Sequence, residues 1–394
     1  MSYTSEWLDL LFRWLHVVAA IAWIGSSFYF IALDNHLRPP TDERDLEQGI
    51  GGEAWEVHGG GFYHVQKYRV APPRLPEPLH WFKWEAYTTW LSGFGLMVVL
   101  YYVNADTYLI DKSVADLSTT AAIAISVGLL GAAWVIYDGL CRLVRNELVL
   151  AALLLGLTTG AAWGASNLFS GRAAYLQVGA MLGTMMAGNV LVVIIPAHWE
   201  LVRAKQAGRE PDAGPGLRAK QRSVHNNYLT LPVVFAMLSN HFSFTYGHSH
   251  AWLILVALMA TGAWVRHFFN LRHTGRTLWP IPVTAALAIA GIAVVIRPQS
   301  PSGGEAGETR VPFSRAEAIV TQRCVPCHSL HPTRVSSAPK GIALDTAAEI
   351  RATASAIERV AVQTRVMPLG NVTKMTDAER DALGAWIEQG AKPR

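Results

Sequence analysis

Cysteine and charge are what this chain has least of. Only three of its 394 residues are cysteine, and charged residues make up 16% of it against 51% apolar. So little charge over so long a chain is too oily for a soluble protein. The net charge of +4 is carried by short basic loops between apolar runs, and no nucleic-acid motif accompanies it. Ahead of the first apolar run there is no basic segment, no small-residue cleavage pattern follows it, and the run is too long for a removable leader. The first helix is therefore expected to stay in the protein. Beyond His331 there is no further His or Cys, which removes the second ligand pair that a structural zinc site near the C-terminus would need.

Against that scarcity, two of the three cysteines stand three residues apart in Cys324-Val325-Pro326-Cys327-His328. A C-x-x-C-H on one helical turn places two thiols to form thioethers with the vinyl groups of a haem, and the adjacent imidazole to ligate its iron. A redox dithiol would need strands alternating with helices, and this region reads as short helices instead. Covalent haem c is the expectation, held by Cys324, Cys327 and His328. Met367 and Met375 are the candidates for the sixth ligand. Met367, in the loop-like Met-Pro-Leu-Gly-Asn, is favoured, while Met375, just ahead of a helix expected over 376–389, reads as core. A His/Met pair raises the haem potential, which suits an electron acceptor.

The fold class expected is all-α: a polytopic eight-helix transmembrane bundle over 1–296, a flexible linker over 297–311 rich in Pro and Gly, and a small class I cytochrome c-like domain over 312–394. The apolar runs lie near 7–31, 82–103, 118–140, 147–168, 173–200, 224–246, 250–270 and 278–296, each long enough for a hydrocarbon core of about 30 Å. Lys and Arg concentrate in 141–146, 203–222 and 266–276, which marks these loops as cytoplasmic. The cation-poor loops 104–117 and 245–249 then face outward, and by alternation the long loop 34–81 faces inward. Both termini fall outside, on the periplasmic side of a bacterial inner membrane. Haem attachment to C-x-x-C-H needs that oxidising compartment, so the two readings agree. Cys141, at the cytoplasmic end of the third run, reads as a packed, inert thiol.

Ionisable groups inside apolar spans are costly and by default functional. His16 lies roughly 13 Å below the outer interface at about 1.5 Å per residue, and His241 lies near the outer end of the sixth run. They are candidates for the axial pair of a second, non-covalent haem b; hydrogen-bonded bundle histidines are the alternative. If substrate is oxidised on the inner side, electrons must cross roughly 30 Å, and a relay of this kind is required. If the site opens outward, none is needed.

The first long loop is the richest in reactive side chains. Glu53 to Tyr68 alternates as a short hairpin turning on Gly59 to Gly61, and His80-Trp-Phe-Lys-Trp-Glu85 then enters the second run. Gln66, Lys67, Lys83 and Glu85 would bind a planar anion stacked on Trp84 or Tyr68, with His64 as proton acceptor. Ser223-Val-His225-Asn226-Asn227 would present its amides to the same cavity. Asn227 and His241, fourteen apart, would share a helical face. Belt aromatics and a solvated loop are the competing reading.

Over essentially its whole length the chain resembles the bacterial membrane-bound cytochrome c urate oxidases, also called urate hydroxylases. The resemblance rests on Trp14-Leu-His16 with Trp23-Ile-Gly25, Gly51-Gly-Glu-Ala-Trp55, His58-Gly-Gly-Gly-Phe-Tyr-His64, Trp81-Phe-Lys-Trp-Glu-Ala-Tyr87, His225-Asn-Asn-Tyr-Leu-Thr-Leu-Pro232, Ser239-Asn-His241, and Cys324 to His328 with Met367-Pro-Leu-Gly-Asn371. The first helix also looks like that of bacterial membrane protoporphyrinogen oxidases, which bind haem b. The family implies conversion of urate to 5-hydroxyisourate, with electrons passing to a downstream acceptor such as a soluble cytochrome c or a terminal oxidase. Membrane lipid is the remaining expected partner. Two rivals stay open: a respiratory electron-transfer subunit whose catalysis belongs to another chain, and a transporter or copper-handling channel with a haem sensor, which His241, His248 and His250 permit.

Overall fold

Each of the apolar runs is helical in the computed structural model, which describes residues 3–297 and 310–392, and the chain is mostly helix. The helices are α1 (Tyr3–His36), α2 (Trp84–Met97), α3 (Thr119–Leu143), α4 (Glu147–Ser166), α5 (Gly171–Gly188), α6 (Ile195–Gln206), α7 (Ala213–Leu238), α8 (Ala251–His273) and α9 (Pro280–Val295). Their starts follow from side chains that satisfy the orphan amides of the first turn. Ser118 accepts from the Ala121 amide, Asn146 from Leu148 and Val149, and Ser170 from Ala173. Among the described residues, five helical stretches are long and apolar enough to cross a membrane: α1, α3, α4, α5 running on into α6, and α8. Helix α9 is apolar but shorter, and α7 is too polar, since Arg222, His225, Asn226 and Asn227 lie within it.

Helix α5 occupies the centre. Tyr175, Gln177, Val178, Met181 and Leu182 on it are almost wholly buried, packed against α3, α4 and α7. By contrast α1 leans chiefly on α2 and turns Trp14, Val17, Val18 and Ile21 outward. Two helices pass through a wider π turn, α2 at Val98–Tyr102 and α5 at Asn189–Ile194. Such turns re-aim side chains and recur at functional sites. The second begins on Asn189, whose amide donates to Tyr137 Oη at 2.8 Å and to Asn226 Oδ1 at 2.9 Å while its carbonyl accepts from Arg222 at 3.2 Å. Arg222 in turn pairs with Asp138 Oδ1 at 2.7 Å and lies over the Tyr137 ring.

The sixth run departs from its expected outline. Helix α7 starts at Ala213, capped by Asp212, so the basic stretch read as a loop is half helical, and it stops at Leu238. There Ser239 bonds back to the Ala236 carbonyl, and the Asn240 side chain is taken by Tyr101 and Arg172. His241 thus sits on a 3-10 turn beyond the helix end, and the face it was expected to share with Asn227 does not reach it. The hairpin forms as the alternation indicates: β1 (Ile50–His58) pairs antiparallel with β2 (Gly61–Tyr68). Gly59 and Gly60 turn it with φ of 58° and 84°, values that favour glycine.

Residues 310–392 carry a second hydrophobic core of their own, built on Ile319, Val320, Leu383 and Trp386. Its helices include α10 (Phe313–Arg323), α11 (Ala347–Ala352) and α12 (Asp377–Glu388). Thr346 with Glu349 and Thr376 with Glu379 form capping boxes at the starts of α11 and α12. Arg323 closes this core by a forked pair to Glu379, at 2.9 and 3.1 Å, and a bond to the Thr373 carbonyl. Most of the expected linker lies outside the described residues.

Two expectations follow. Arg222→Ala leaves Asp138 with only the more exposed Arg142, 2.7 Å from its other oxygen, and removes the buried half of the pair, a loss toward the lower end of about 3–5 kcal/mol; thermal unfolding in detergent should show a fall in midpoint, with partial recovery when Asp138→Asn is added. For Glu379, burial raises the carboxyl, but Arg323 and the Thr376 cap outweigh it and hold it below the usual glutamate range. Its stabilisation is therefore present above about pH 4.3, the unfolded value, and lost as pH falls through the lowered folded value. Arg323→Gln should lower the unfolding temperature of the C-terminal segment at pH 7, and calorimetry should find that difference shrinking below about pH 4.

Candidate functional site

At the end of the helices where the basic loops lie, α1, the hairpin, the entry to α2, the π turn of α5, α6 and the start of α7 enclose a cavity of about 640 Å³. That is within the roughly 300–1,000 Å³ range of small-molecule sites. Its walls are largely apolar, with Trp23, Phe30, Val190 and Ile194 among them. Charge enters at the rim. Asp34, near the end of α1, accepts from Lys67 Nζ of β2 at 2.5 Å and lies 3.7 Å from Lys220 Nζ of α7. Two ammonium groups on one carboxylate leave the rim net positive, and Arg69 lines it too. Trp81 stacks on Trp199 with ring centres 4.5 Å apart. Beside it stands His198, tilted at 6.4 Å from Trp81. No hydrogen bond or ion pair engages His198 among the described residues.

Of the side chains expected to handle substrate, Lys67 and Tyr68 line this cavity. His64 lies on the hairpin, stacked on Trp55 at 4.3 Å and bonded to Glu53 Oε2 at 2.8 Å. That bond holds the Glu53 carboxyl below its usual range. Gln66 donates to Asp45. Lys83 spans the Trp81 and Trp84 rings, 5.5 and 5.7 Å from their centres. Trp84 itself is largely exposed. One carboxylate oxygen of Glu85 is buried without a partner among the described residues. Ser223 and Asn226 line the cavity as expected, whereas Asn227 is taken up by Arg266 and Asn270. Asp34, His198 and Lys220 were not singled out from sequence. His198 carried the usable signal, being an ionisable residue in an apolar run; Lys220 looked like one more topology charge.

His16 is held in one orientation. Its Nδ1 is 2.9 Å from the Thr89 carbonyl oxygen, which only accepts, so Nδ1 carries the proton and the Nε2 lone pair is free. Gly93 permits the approach, since a Cβ there would fall 2.7 Å from the His16 ring. No ring contact or hydrogen bond joins His16 to His241 among the described residues. A packed path through α2 to Tyr101 and Asn240 lies between them.

Cys324 caps the C-terminus of α10, and the Cys327 and His328 amides turn back onto its carbonyl. All three cysteines are free thiols. Desolvation, and then the neighbouring Cys327, push the Cys324 thiol up to about 12. His328 Nδ1 lies 3.2 Å from the Ile342 carbonyl oxygen, which again leaves Nε2 free. Met367 packs at the edge of the same core, and Met375 is buried within it. Two sulfurs on one turn, an imidazole with its outer nitrogen free, and a thioether packed on the same core make a donor set that fits a covalently held haem.

The C-terminal segment sits on the end of the helices away from the 640 Å³ cavity. Gly370 packs on the carbonyls of Asp106, Thr107 and Ile110, Gly247 packs on Thr364, and Ser336 Oγ donates to Glu6 at 2.5 Å. A second cavity, of about 1010 Å³, lies in this seam.

No curated protein and no solved structure matches the chain. A family model described as urate oxidase N-terminal matches residues 2–297, well over half of the sequence, with the cavity, His16 and the seam helices inside the matched region; the chain belongs to that family.

Proposed function

We propose that this chain is a membrane-bound oxidoreductase that converts urate to 5-hydroxyisourate and passes the electrons, by way of haem c, to the respiratory chain. The reading includes an eight-span bundle in a bacterial inner membrane and a periplasmic cytochrome c domain. The observation that carries it is the joining, in one chain, of a urate oxidase N-terminal region to a C-x-x-C-H segment. The reaction balances as urate plus water giving 5-hydroxyisourate, two protons and two electrons. Cys324 and Cys327 would hold a haem covalently and His328 and Met367 would ligate its iron, and such a haem would supply the one-electron acceptor.

What the protein's own residues contribute is separation and position. Glu6, in contact with the C-terminal segment, and Asp34, at the cavity rim, lie on one helix 28 residues apart, about 42 Å at 1.5 Å per residue. That is too long for one efficient electron transfer. His16 stands between, its proton fixed on Nδ1 by Thr89 and its Nε2 free, which suits it to hold an intramembrane haem b; His241 is the proposed partner, with the 3-10 turn carrying it toward the outer end. Lys67 faces the cavity, while Lys83, Trp84 and Glu85 anchor the entry of α2 beside Trp81, and His64 braces the hairpin through Glu53.

Anaerobic addition of urate to the purified protein should reduce a c-type absorbance band. If quinol or ascorbate reduces it and urate does not, the chain is an electron-transfer subunit and the reading is wrong. Reduced-minus-oxidised spectra should also contain a b-type band that His16→Ala removes while haem c stays attached. An unchanged b-type band in that variant excludes His16 as ligand.

A further inference from the structure

The 640 Å³ cavity has features that the reaction alone does not dictate: a positive rim, an aromatic wall and an unengaged imidazole. From these we infer that urate binds there as its planar monoanion, entering from the end of the helices opposite the C-terminal segment. Lys220 and Lys67 set the charge, Trp81 forms the stacking wall, and His198 is the proton acceptor. The inference rests on the urate reading and locates the site that reading needs.

Each assignment has its own physical ground. A purine anion needs a compensating charge that is not already neutralised. Asp34 has two cationic partners for one negative charge, at 2.5 and 3.7 Å, so the longer-held Lys220 is the cation in surplus. The partners come from three separate elements, α1, β2 and α7, so the cluster exists only in the folded protein. Trp81 stacks on Trp199, with His198 and the Lys83 ammonium also beside its ring, and lines the cavity, where the remaining aromatic surface is open to a flat ligand. His198 shares that wall. Neither of its ring nitrogens is hydrogen-bonded among the described residues, so it can take a proton without first breaking a bond. The floor is set by Asn226, fixed by Asn189 and the Met186 carbonyl. The π turn from Asn189 carries Val190 and Ile194 into the wall. Of the expected set, Lys67 and Tyr68 line this volume, and His64, Lys83, Trp84 and Glu85 do not.

The test is equilibrium binding of radiolabelled urate to full-length, ascorbate-reduced protein without oxygen, where turnover is blocked. Lys220→Met should weaken binding roughly tenfold and Lys220→Arg should restore most of it. Asp34→Asn, which frees both lysines, should tighten binding by about threefold; shifts of this size match partly screened charges. The opposite signs separate electrostatics from general damage, which weakens both. His198→Gln should bind urate within about twofold of wild type yet slow urate-driven haem reduction by about 100-fold or more. Wild-type binding that neither Lys220→Met nor Asp34→Asn alters places the site elsewhere and overturns this inference alone. If the wild-type protein binds no urate, the urate reading falls with it.

Discussion

The buried Asp138–Arg222 pair, with Asn189 clasped between α3 and α7, is the interaction the rest of the architecture leans on. An arginine inside a bundle is tolerable only when its charge and its donors are met. Here Asp138, Asn189 and the Tyr137 ring meet them. Satisfying Arg222 fixes α7 against α3, and it fixes Asn189 at the first residue of a π turn. That turn widens α5 and sets Val190 and Ile194 as cavity wall. Polar satisfaction in an apolar setting thus shapes the volume in which chemistry is proposed, without any of these residues having to touch a ligand.

A second constraint is separation. The cavity and the C-terminal segment lie at opposite ends of α1, and a helix of 34 residues spans about 51 Å at 1.5 Å per residue. In the proposed function, substrate chemistry and electron exit are therefore kept apart. In the proposed function this distance calls for a relay near mid-membrane, and His16 is the one residue of α1 whose free ring nitrogen, anchored by Thr89 and accommodated by Gly93, is prepared for it. The seam with the C-terminal segment is closed by backbone contacts at Gly370 and Gly247, so a side chain at either position would push the two apart.

Much of this was legible before the structure. Apolar runs longer than about 18 residues have few other ways to fold, and alternation with a glycine turn gave the hairpin through the period-two geometry of strands. The helix expected over 376–389 forms as Asp377–Glu388, capped by Thr376. What sequence could not reach was set by tertiary polar contacts. The break after Leu238 depends on Tyr101 and Arg172, distant in sequence, capturing Asn240. Local richness in His, Lys and aromatics drew the sequence reading to 53–85. The cavity instead gathers Asp34, Lys67, His198 and Lys220 from positions up to nearly two hundred residues apart. Lys67, Tyr68, His80, Trp81 and Phe82 come from that stretch and line the cavity as well, Lys67 because β2 turns it toward Asp34.

The central claim is that one chain takes electrons from urate at one end and delivers them at the other. Sealed membrane vesicles of known orientation, containing the full-length protein and kept anaerobic, test it directly, because the urate anion crosses lipid slowly. Urate presented on the side of the basic loops should reduce the c-type band within the time needed for binding, while urate on the C-terminal side should reduce it only as fast as it leaks. Prompt reduction by urate offered solely to the C-terminal side would contradict the claim.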